Sequence, residues 1–184
     1  ASLNAVNIML LRRRLPLLSL AEYRDMFGFP VKNFYAKAGF QLEAEDWDKL
    51  ADEYYAAFFA NPSIKVREDA AKVLQFFKLE GVAQSLLSAA EHEMLLRMVK
   101  TAGIEAFFTH VFGSDNRYGL SKLEQARNLL VKLNRPPDSV LLIGDTLHDA
   151  EVAGELGFQC MLISDGHQSE ERLRETGYPV FRTL

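Results

Sequence analysis

Residues 139–149 constrain the fold more than any other part of the sequence. An apolar run over 140–143 leads into Asp145, and a second carboxylate follows at Asp149. The run is short, partly β-branched and bounded by proline and glycine, which predicts a parallel strand buried on both faces. Apolar residues at helical spacing over 147–156 predict a helix directly after it. We therefore expect Asp145 where the strand ends and Asp149 in the first turn of the helix.

Two interpretations of this pair of acidic residues stay open at this point. In open α/β sheets, ligands bind at the carboxyl ends of the strands, and two carboxylates there suit a hard cation such as Mg²⁺. Thr146 followed by Asp149 also has the spacing of a capping box, in which the acid simply complements the start of the helix. Taken alone, the spacing favours the capping interpretation slightly.

The rest of the chain divides into a helical first third and an alternating remainder. Four helices are predicted first, at 3–15, 20–26, 31–38 and 43–60. Asn61-Pro62-Ser63 then makes the best candidate for a boundary. Helices and strands alternate afterwards, at 67–80, 82–88, 91–102, 110–112, 122–133, 139–143, 147–156, 159–163 and 169–176. This alternation predicts an α/β fold with a parallel sheet and helices on both faces.

Composition limits the classes of function. At 184 residues the chain suits one domain, with or without a smaller insertion. Cys160 is the one cysteine, so no intrachain disulfide can form and a reducing, cytoplasmic setting is the default. A net charge of −4 argues against a nucleic-acid partner. The apolar stretch 8–20 is interrupted by three arginines and a proline, so we expect neither a membrane span nor an export signal.

Polar residues from separate segments are expected at the same edge of the sheet. Ser88 ends the first predicted strand after the boundary, Lys122 opens a helix, and Asp145 and Asp149 follow the central run. A hydroxyl and an ammonium at helix N-termini can bind phosphate oxygens while two acids hold a metal ion. Each residue also has an ordinary structural explanation, since Ser88 could cap a helix and Lys122 could be a surface lysine. Their order and shared edge favour the phosphate site.

These residues resemble the motifs of the haloacid dehalogenase superfamily, in particular its phosphoglycolate-phosphatase-like members with a helical cap. Ser88 matches the second motif, Lys122 the third, and Gly144-Asp145-Thr146-x-x-Asp149 the fourth. The resemblance implies a Rossmann-like doubly wound core over 67–184 and an inserted helical cap over 1–66. It implies Mg²⁺-dependent hydrolysis of a small phosphate monoester through an aspartyl-phosphate, with Lys122 and Asp145 as catalytic residues, Ser88 and Lys122 on the phosphate, and Asp145 and Asp149 on the metal.

The sequence departs from this family at its first motif, Asp-x-Asp-Gly-Thr, which carries the nucleophile. Asp46-Trp47-Asp48 is the one Asp-x-Asp present, but it begins a helix of the predicted cap and lacks Gly-Thr. The central first strand is therefore missing. Losing about five buried apolar side chains forfeits about 10 kcal/mol, comparable to the stability of a whole domain. We expect residues upstream of Ala1, another chain or a rearranged edge to replace it, and we expect the 184 residues alone to be nearly inactive.

Two other classes compete with the phosphatase. One is a non-catalytic protein of the same fold that binds a phosphorylated ligand or a partner protein. The other is a receiver-type switch with an acidic pocket, which does not account for the helical first third. For a phosphatase, His167 and Lys32 are candidates for contacts with a small phosphorylated metabolite, with Tyr35 and Arg24 as further polar candidates near them.

Overall fold

The first third of the chain is helical, as the sequence predicts. A computed structural model describes residues 1–61 and 66–184. Four helices come first: α1 Ser2–Arg12, α2 Leu20–Met26, α3 Val31–Lys37 and α4 Trp47–Phe59. The boundary proposed at residues 61–63 falls partly outside the described residues, because Pro62 and Ser63 are not among them.

Strands and helices alternate after residue 66. The helices are α5 Glu68–Leu79, α6 His92–Ala102, α7 Leu123–Leu133, α8 Leu147–Leu156 and α9 Glu170–Arg174. The strands are β1 Ser85–Glu91, β2 His110–Ser114, β3 Leu141–Gly144, β4 Gln159–Ile163 and β5 Val180–Phe181. All strand pairs that the described residues form are parallel. The predicted α/β class with parallel strands is therefore confirmed.

The described strands form two separate sheets. One sheet contains β1 and β2, and the other has the order β3-β4-β5. Within the described residues, β1 pairs only with β2, and β3 pairs only with β4. No strand pairing therefore joins the two sheets.

The strand β3 is more exposed than the sequence predicts. The apolar run 140–143 predicts a strand buried on both faces, but Leu141 is 45% and Ile143 is 36% exposed. That prediction is wrong for the described residues, because a strand is covered on its edge and faces only where neighbours pack against it. The neighbouring strand β4, paired on both sides, buries Cys160 and Leu162.

The strand β1 begins three residues later than predicted. Gly81 has a positive φ of 70°, and the Val82 N–H donates to the carbonyl of Phe77, so the chain is still leaving α5 at residue 82. Regular pairing with β2 then runs from Ser85 to Leu87 and resumes at Glu91 after an irregularity. Ser88 therefore lies just past the last regular pair rather than at the end of the strand.

Two clusters of buried side chains lie in different parts of the chain. The first is built by α1 to α4 and the segments between them, and it includes Met9, Leu10, Phe34 and Leu50. Ser19 begins α2 with a complete capping box. The second cluster packs α8 and α9 on β4 and comprises Ala150, Ala153, Phe158, Cys160, Leu162 and Leu173.

Arg13, the middle of the three arginines that interrupt the apolar stretch 8–20, forms ion pairs within the first third of the chain. Arg13 is bound by Glu45 at 2.7 Å and by Glu53 at 2.8 Å, and its side chain is mostly covered. These carboxylates come from the segment before α4 and from α4 itself, so Arg13 holds two helices together. Among residues 1–61 and 66–184, none of the helices has both the length and the apolar character that crossing a bilayer requires.

Candidate active site

A cavity of about 290 Å³ brings together almost all of the residues that the sequence singles out. Its lining includes the predicted site residues Ser88, Lys122, Asp145, Asp149 and His167. The helices of the first third contribute aromatic and apolar side chains to the same cavity, namely Tyr23, Phe27, Phe29, Phe34, Tyr35, Trp47 and Tyr54. The cavity therefore combines these polar groups with a largely apolar lining.

Asp145 lies directly after β3, as predicted, and its carboxylate is placed by the loop that follows β4. The backbone N–H of His167 donates to Asp145 Oδ2 at 2.8 Å. Gly166 makes this approach possible, because a Cβ on Gly166 would lie 2.1 Å from the same oxygen. Among the residues that the structure describes, none donates a hydrogen bond to the other oxygen, Oδ1.

Asp149 lies in the first turn of α8 and is 2% exposed. Its Oδ2 accepts from the Thr146 N–H at 2.9 Å and the Thr146 hydroxyl at 2.6 Å. The Thr146 Oγ1 in turn accepts from the Asp149 N–H, which completes the capping box. Gly144 leaves room for this carboxylate, because a Cβ there would lie 2.1 Å from Asp149 Cγ. The capping interpretation is therefore confirmed.

Asp149 has a second partner that a cap does not require. Its Oδ1 forms an ion pair with Lys122 Nζ, and the two side chains are 4% and 12% exposed. Burial alone would raise the pKa of Asp149, but the charge of Lys122 and the hydrogen bonds from Lys122 and Thr146 outweigh burial and hold this pKa below its usual value. Lys122 is therefore not a solvated surface lysine, because its mostly covered side chain is paired with Asp149 in the cavity that Asp145 also lines.

Ser88 lines the cavity from the irregular part of β1. Its hydroxyl accepts a hydrogen bond from the Ala90 N–H at 3.1 Å, which is a local turn of the kind that serine commonly makes. A serine hydroxyl that accepts one hydrogen bond keeps its own proton for a second partner. Glu91, not Ser88, is the N-cap of α6, so the helix-capping interpretation of Ser88 is wrong, and the phosphate-binding interpretation stays a prediction.

The two substrate candidates have different positions. His167 lines the cavity, with Nδ1 at 2.6 Å from the Tyr23 hydroxyl and its ring stacked on Phe27 at a centroid distance of 4.5 Å. Burial raises the pKa of Tyr23, so the phenol stays protonated. Lys32 is exposed on α3 and is not part of the cavity lining.

The other two polar candidates near the predicted cap also differ. Tyr35 lines the cavity, whereas Arg24 binds the loop after β4, donating to Asp165 at 2.8 Å and to the Gly166 carbonyl at 3.0 Å.

Sequence reasoning missed two contributors to this site. Gly166 makes room for the Asp145 carboxylate, and Tyr23 reaches across 144 residues to His167. A glycine shortly after a predicted strand was a usable signal for close approach. No local pattern pairs Tyr23 with a loop so distant in sequence.

The carboxylates fit a magnesium ion better than a transition metal. Within the part of the chain that the structure describes, no group of three or more His, Cys, Asp or Glu side chains could enclose a metal. Mg²⁺ needs only one or two protein carboxylates, because it keeps several waters and takes oxygens from a bound phosphate. Asp145, with one oxygen free of described donors, suits a direct ligand. Asp149 has both oxygens engaged and suits an outer position.

Comparison with known proteins decides the family. The model of the haloacid dehalogenase-like hydrolases matches residues 1–163 of the chain. The chain belongs to this family. By resemblance, this haloacid dehalogenase-like hydrolase is a phosphohydrolase with a Rossmann-like fold. Among curated proteins, no sequence matches it.

Solved structures share the fold of this haloacid dehalogenase-like hydrolase. A family member from Streptococcus pneumoniae has a TM-score of 0.78 at 19% identity, over 96% of this chain and 83% of that one. A protein described as a predicted phosphoglycolate phosphatase, from Haemophilus somnus, has a TM-score of 0.77 at 17% identity, over 99% and 87% of the two chains. CbbY from Rhodobacter sphaeroides, in complex with xylulose-(1,5)bisphosphate, has a TM-score of 0.71 at 15% identity, over 99% and 86%.

Proposed function

We propose that this chain carries the phosphate and magnesium site of a phosphatase that acts on a small phosphorylated metabolite. The observation that supports this most directly is the cavity in which Ser88, Lys122, Asp145 and Asp149 meet. The covered ion pair of Lys122 and Asp149 also supports it. Removing charged side chains from solvent costs free energy, and charged groups with a shifted pKa in a cavity are typical of functional sites. The xylulose bisphosphate bound by the related CbbY is a compound of the proposed class.

Each residue has a distinct role in this proposal. Lys122 and the Ser88 hydroxyl bind oxygens of the phosphoryl group, and Lys122 also stabilises the charge that builds up on them during transfer. Asp145 and Asp149 are the residues that would hold Mg²⁺. The bound cation would neutralise phosphoryl charge and so favour attack by a nucleophile.

The helices of the first third are the proposed cap, over residues 1–66, above a core over 67–184. Their aromatic side chains line the cavity opposite the acids, which supports a cover that excludes water from the reacting group. His167 contacts the substrate in this proposal. Lys32 is exposed on α3, so a contact from Lys32 requires a ligand that extends beyond the cavity. The single cysteine, which is buried, supports a cytoplasmic setting, and the net charge of −4 argues against a nucleic-acid partner.

The attacking carboxylate is the part that the sequence of this chain does not supply. Hydrolysis through an aspartyl-phosphate needs a third acid in the cavity, but the acids that line it among the described residues are Asp145 and Asp149. Asp46 is the N-cap of α4, and its carboxylate accepts hydrogen bonds from the backbone N–H groups of Asp48 and Lys49. We therefore propose that the 184 residues alone bind phosphate with Mg²⁺ but hydrolyse phosphate esters very slowly.

The same observation favours a second candidate function. A protein that has the phosphate and metal residues but no nucleophile would bind a phosphorylated ligand without turning it over. Fusing an apolar strand that ends in Asp-x-Asp-Gly-Thr ahead of Ala1 separates the two. A gain of Mg²⁺-dependent turnover favours the enzyme, and unchanged binding without turnover favours the binding protein.

Calorimetric titration of the 184-residue chain with inorganic phosphate, with and without MgCl₂, tests the site. We expect Mg²⁺ to strengthen phosphate binding, Lys122→Met to abolish it, and the exposed control Lys132→Met to leave it unchanged. Asp145→Asn should remove the effect of Mg²⁺, while Asp138→Asn on the surface should not.

Hydrolysis of p-nitrophenyl phosphate completes the test. We expect almost no turnover. Turnover comparable to an ordinary phosphatase, lost in Asp145→Asn, would show that our account of the nucleophile is wrong. Absence of phosphate binding by the folded chain would refute the proposed function itself.

A further inference from the structure

His148 contacts Lys122 and precedes Asp149, but it is not one of the residues assigned to the proposed phosphate site. It is the second residue of α8, immediately before Asp149, and is 9% exposed. Its Nε2 lies 3.0 Å from the backbone nitrogen of Lys122 and 3.2 Å from the Ser121 hydroxyl. Its Nδ1 lies 2.9 Å from Glu151 Oε2. Both ring nitrogens therefore have partners on different elements.

The partners of His148 determine where its proton lies. A backbone N–H can only donate, so Nε2 must accept from Lys122 and cannot carry a hydrogen. The proton of the neutral ring then lies on Nδ1, where it is donated to the Glu151 carboxylate. A ring with hydrogens on both nitrogens would place two donors against each other at Lys122. The carboxylate of Glu151 thus selects the tautomer that can accept from Lys122.

This hydrogen bond fixes the backbone N–H of a residue at the start of a helix. Lys122 is the N-cap of α7, and no side-chain hydrogen bond caps the helix there. Its φ of −109° and ψ of 12° lie in the sparsely populated bridge region. Two consecutive residues of α8 then hold Lys122 at both ends. His148 binds its backbone N–H and Asp149 binds its ammonium.

We propose that His148 is a positioning residue that aims the Lys122 ammonium at the bound phosphoryl group. The proposal rests on the proposed function in one respect, that Lys122 binds phosphate. The ring of His148 also packs against Phe29, at a centroid distance of 5.0 Å, and Phe29 lines the cavity. His148 is therefore held on its face as well as at both nitrogens. A long lysine side chain loses less entropy on binding a ligand when its backbone is already fixed.

Substitutions of His148 separate positioning from packing. His148→Leu removes the acceptor at a similar size, whereas His148→Gln keeps an amide oxygen near the position of Nε2 and loses the ring. In phosphate titrations of the whole chain with MgCl₂, we expect His148→Leu to weaken binding roughly five- to tenfold, the usual worth of one hydrogen bond. His148→Gln should bind within about twofold of the wild type. Melting temperatures are measured in parallel.

A purely structural role predicts a different pattern. Both variants would then melt at lower temperature by similar amounts, and both would bind phosphate like the wild type while folded. Wild-type affinity in folded His148→Leu therefore overturns the proposal, and so does equal weakening in both variants.

Nitrogen NMR of the histidine rings in the wild-type chain provides a test that requires neither phosphate nor a substitution. We expect a hydrogen on His148 Nδ1, none on Nε2, and slow solvent exchange of the Lys122 amide. A hydrogen on Nε2 would overturn the proposal. If the wild-type chain binds no phosphate, the proposed function fails, while the ring nitrogens and the Lys122 amide still decide whether His148 holds Lys122.

Discussion

The ion pair between Lys122 and Asp149 should couple the two residues strongly in folding. Their side chains are 12% and 4% exposed, so either charge left alone would be buried without a counter-ion. Removing one partner of a buried pair typically costs about 3–5 kcal/mol, most of it the cost of the stranded charge. Lys122→Met leaves the Asp149 carboxylate without a counter-ion, and Asp149→Asn leaves the Lys122 ammonium without one. Each single substitution should therefore lower the free energy of unfolding by about 3 kcal/mol.

The double variant should lose much less than the sum of these two costs. In Asp149→Asn the amide oxygen can take the place of Oδ2 and still accept from the Thr146 N–H, so the helix cap survives. With Lys122→Met added, both charges are gone and neither is stranded. We expect a loss of about 3–4 kcal/mol in the double variant, which corresponds to a coupling energy of about 2–3 kcal/mol.

Urea denaturation at pH 7, followed by far-UV circular dichroism, measures all four proteins of this cycle. The pair Lys72–Glu68 on α5 is the control, because its side chains are 73% and 85% exposed and its coupling should not exceed about 0.5 kcal/mol. The reasoning is refuted if Lys122 and Asp149 prove additive to within about 0.5 kcal/mol, since that would mean the pair is as solvated as the control.

Further substitutions test the packing and the charges around the acids. Gly166→Ala should lower the free energy of unfolding by about 1–3 kcal/mol, because the new Cβ would clash with the Asp145 carboxylate. Gly154→Ala, inside α8, should raise the free energy of unfolding by up to about 1 kcal/mol, because the nearest atom to the new Cβ is 3.6 Å away. Thr146→Ala should cost about 1 kcal/mol by removing the cap of α8, with an unchanged urea m-value. Burial raises the pKa of Asp149, but the charge of Lys122 and the hydrogen bonds from Lys122, Thr146 and the Asp145 N–H together lower it by more. The stability that this carboxylate contributes is therefore complete above about pH 5 and is lost as the pH falls through its lowered folded pKa. The melting temperature of Asp149→Asn should therefore fall less between about pH 5 and pH 3 than that of the wild type, which is measured by thermal scans at each pH.

The positions of the two acids were predictable because they depend on local signals. A capping box is recognisable from residues three apart, and the start of α8 at Leu147 follows from it. The same kind of signal was overlooked at α4, which begins after its N-cap Asp46, four residues later than the predicted start at residue 43. Helical spacing also separates the helical first third from the alternating remainder, since it needs only a window of a few turns.

The limits of β1 and the burial of β3 were not predictable in the same way. An apolar run predicts a strand, but whether Leu141 and Ile143 are covered depends on which segments pack beside them. Likewise, β1 begins where it can pair in register with β2, at Ser85 opposite His110, rather than where its apolar run begins. The short strand β5 escaped notice because two residues carry too little pattern.

The sequence by itself determined the α/β class, the order of helices and strands, and the placement of Asp145 and Asp149 at a strand end and a helix start. These features follow from interactions among residues a few positions apart. Only the tertiary structure decided that Lys122 pairs with Asp149 across 27 residues and that His148 holds the Lys122 backbone. The physical reason is that an ion pair or a hydrogen bond depends on distances of about 3 Å, and the folding of distant segments onto one another sets those distances.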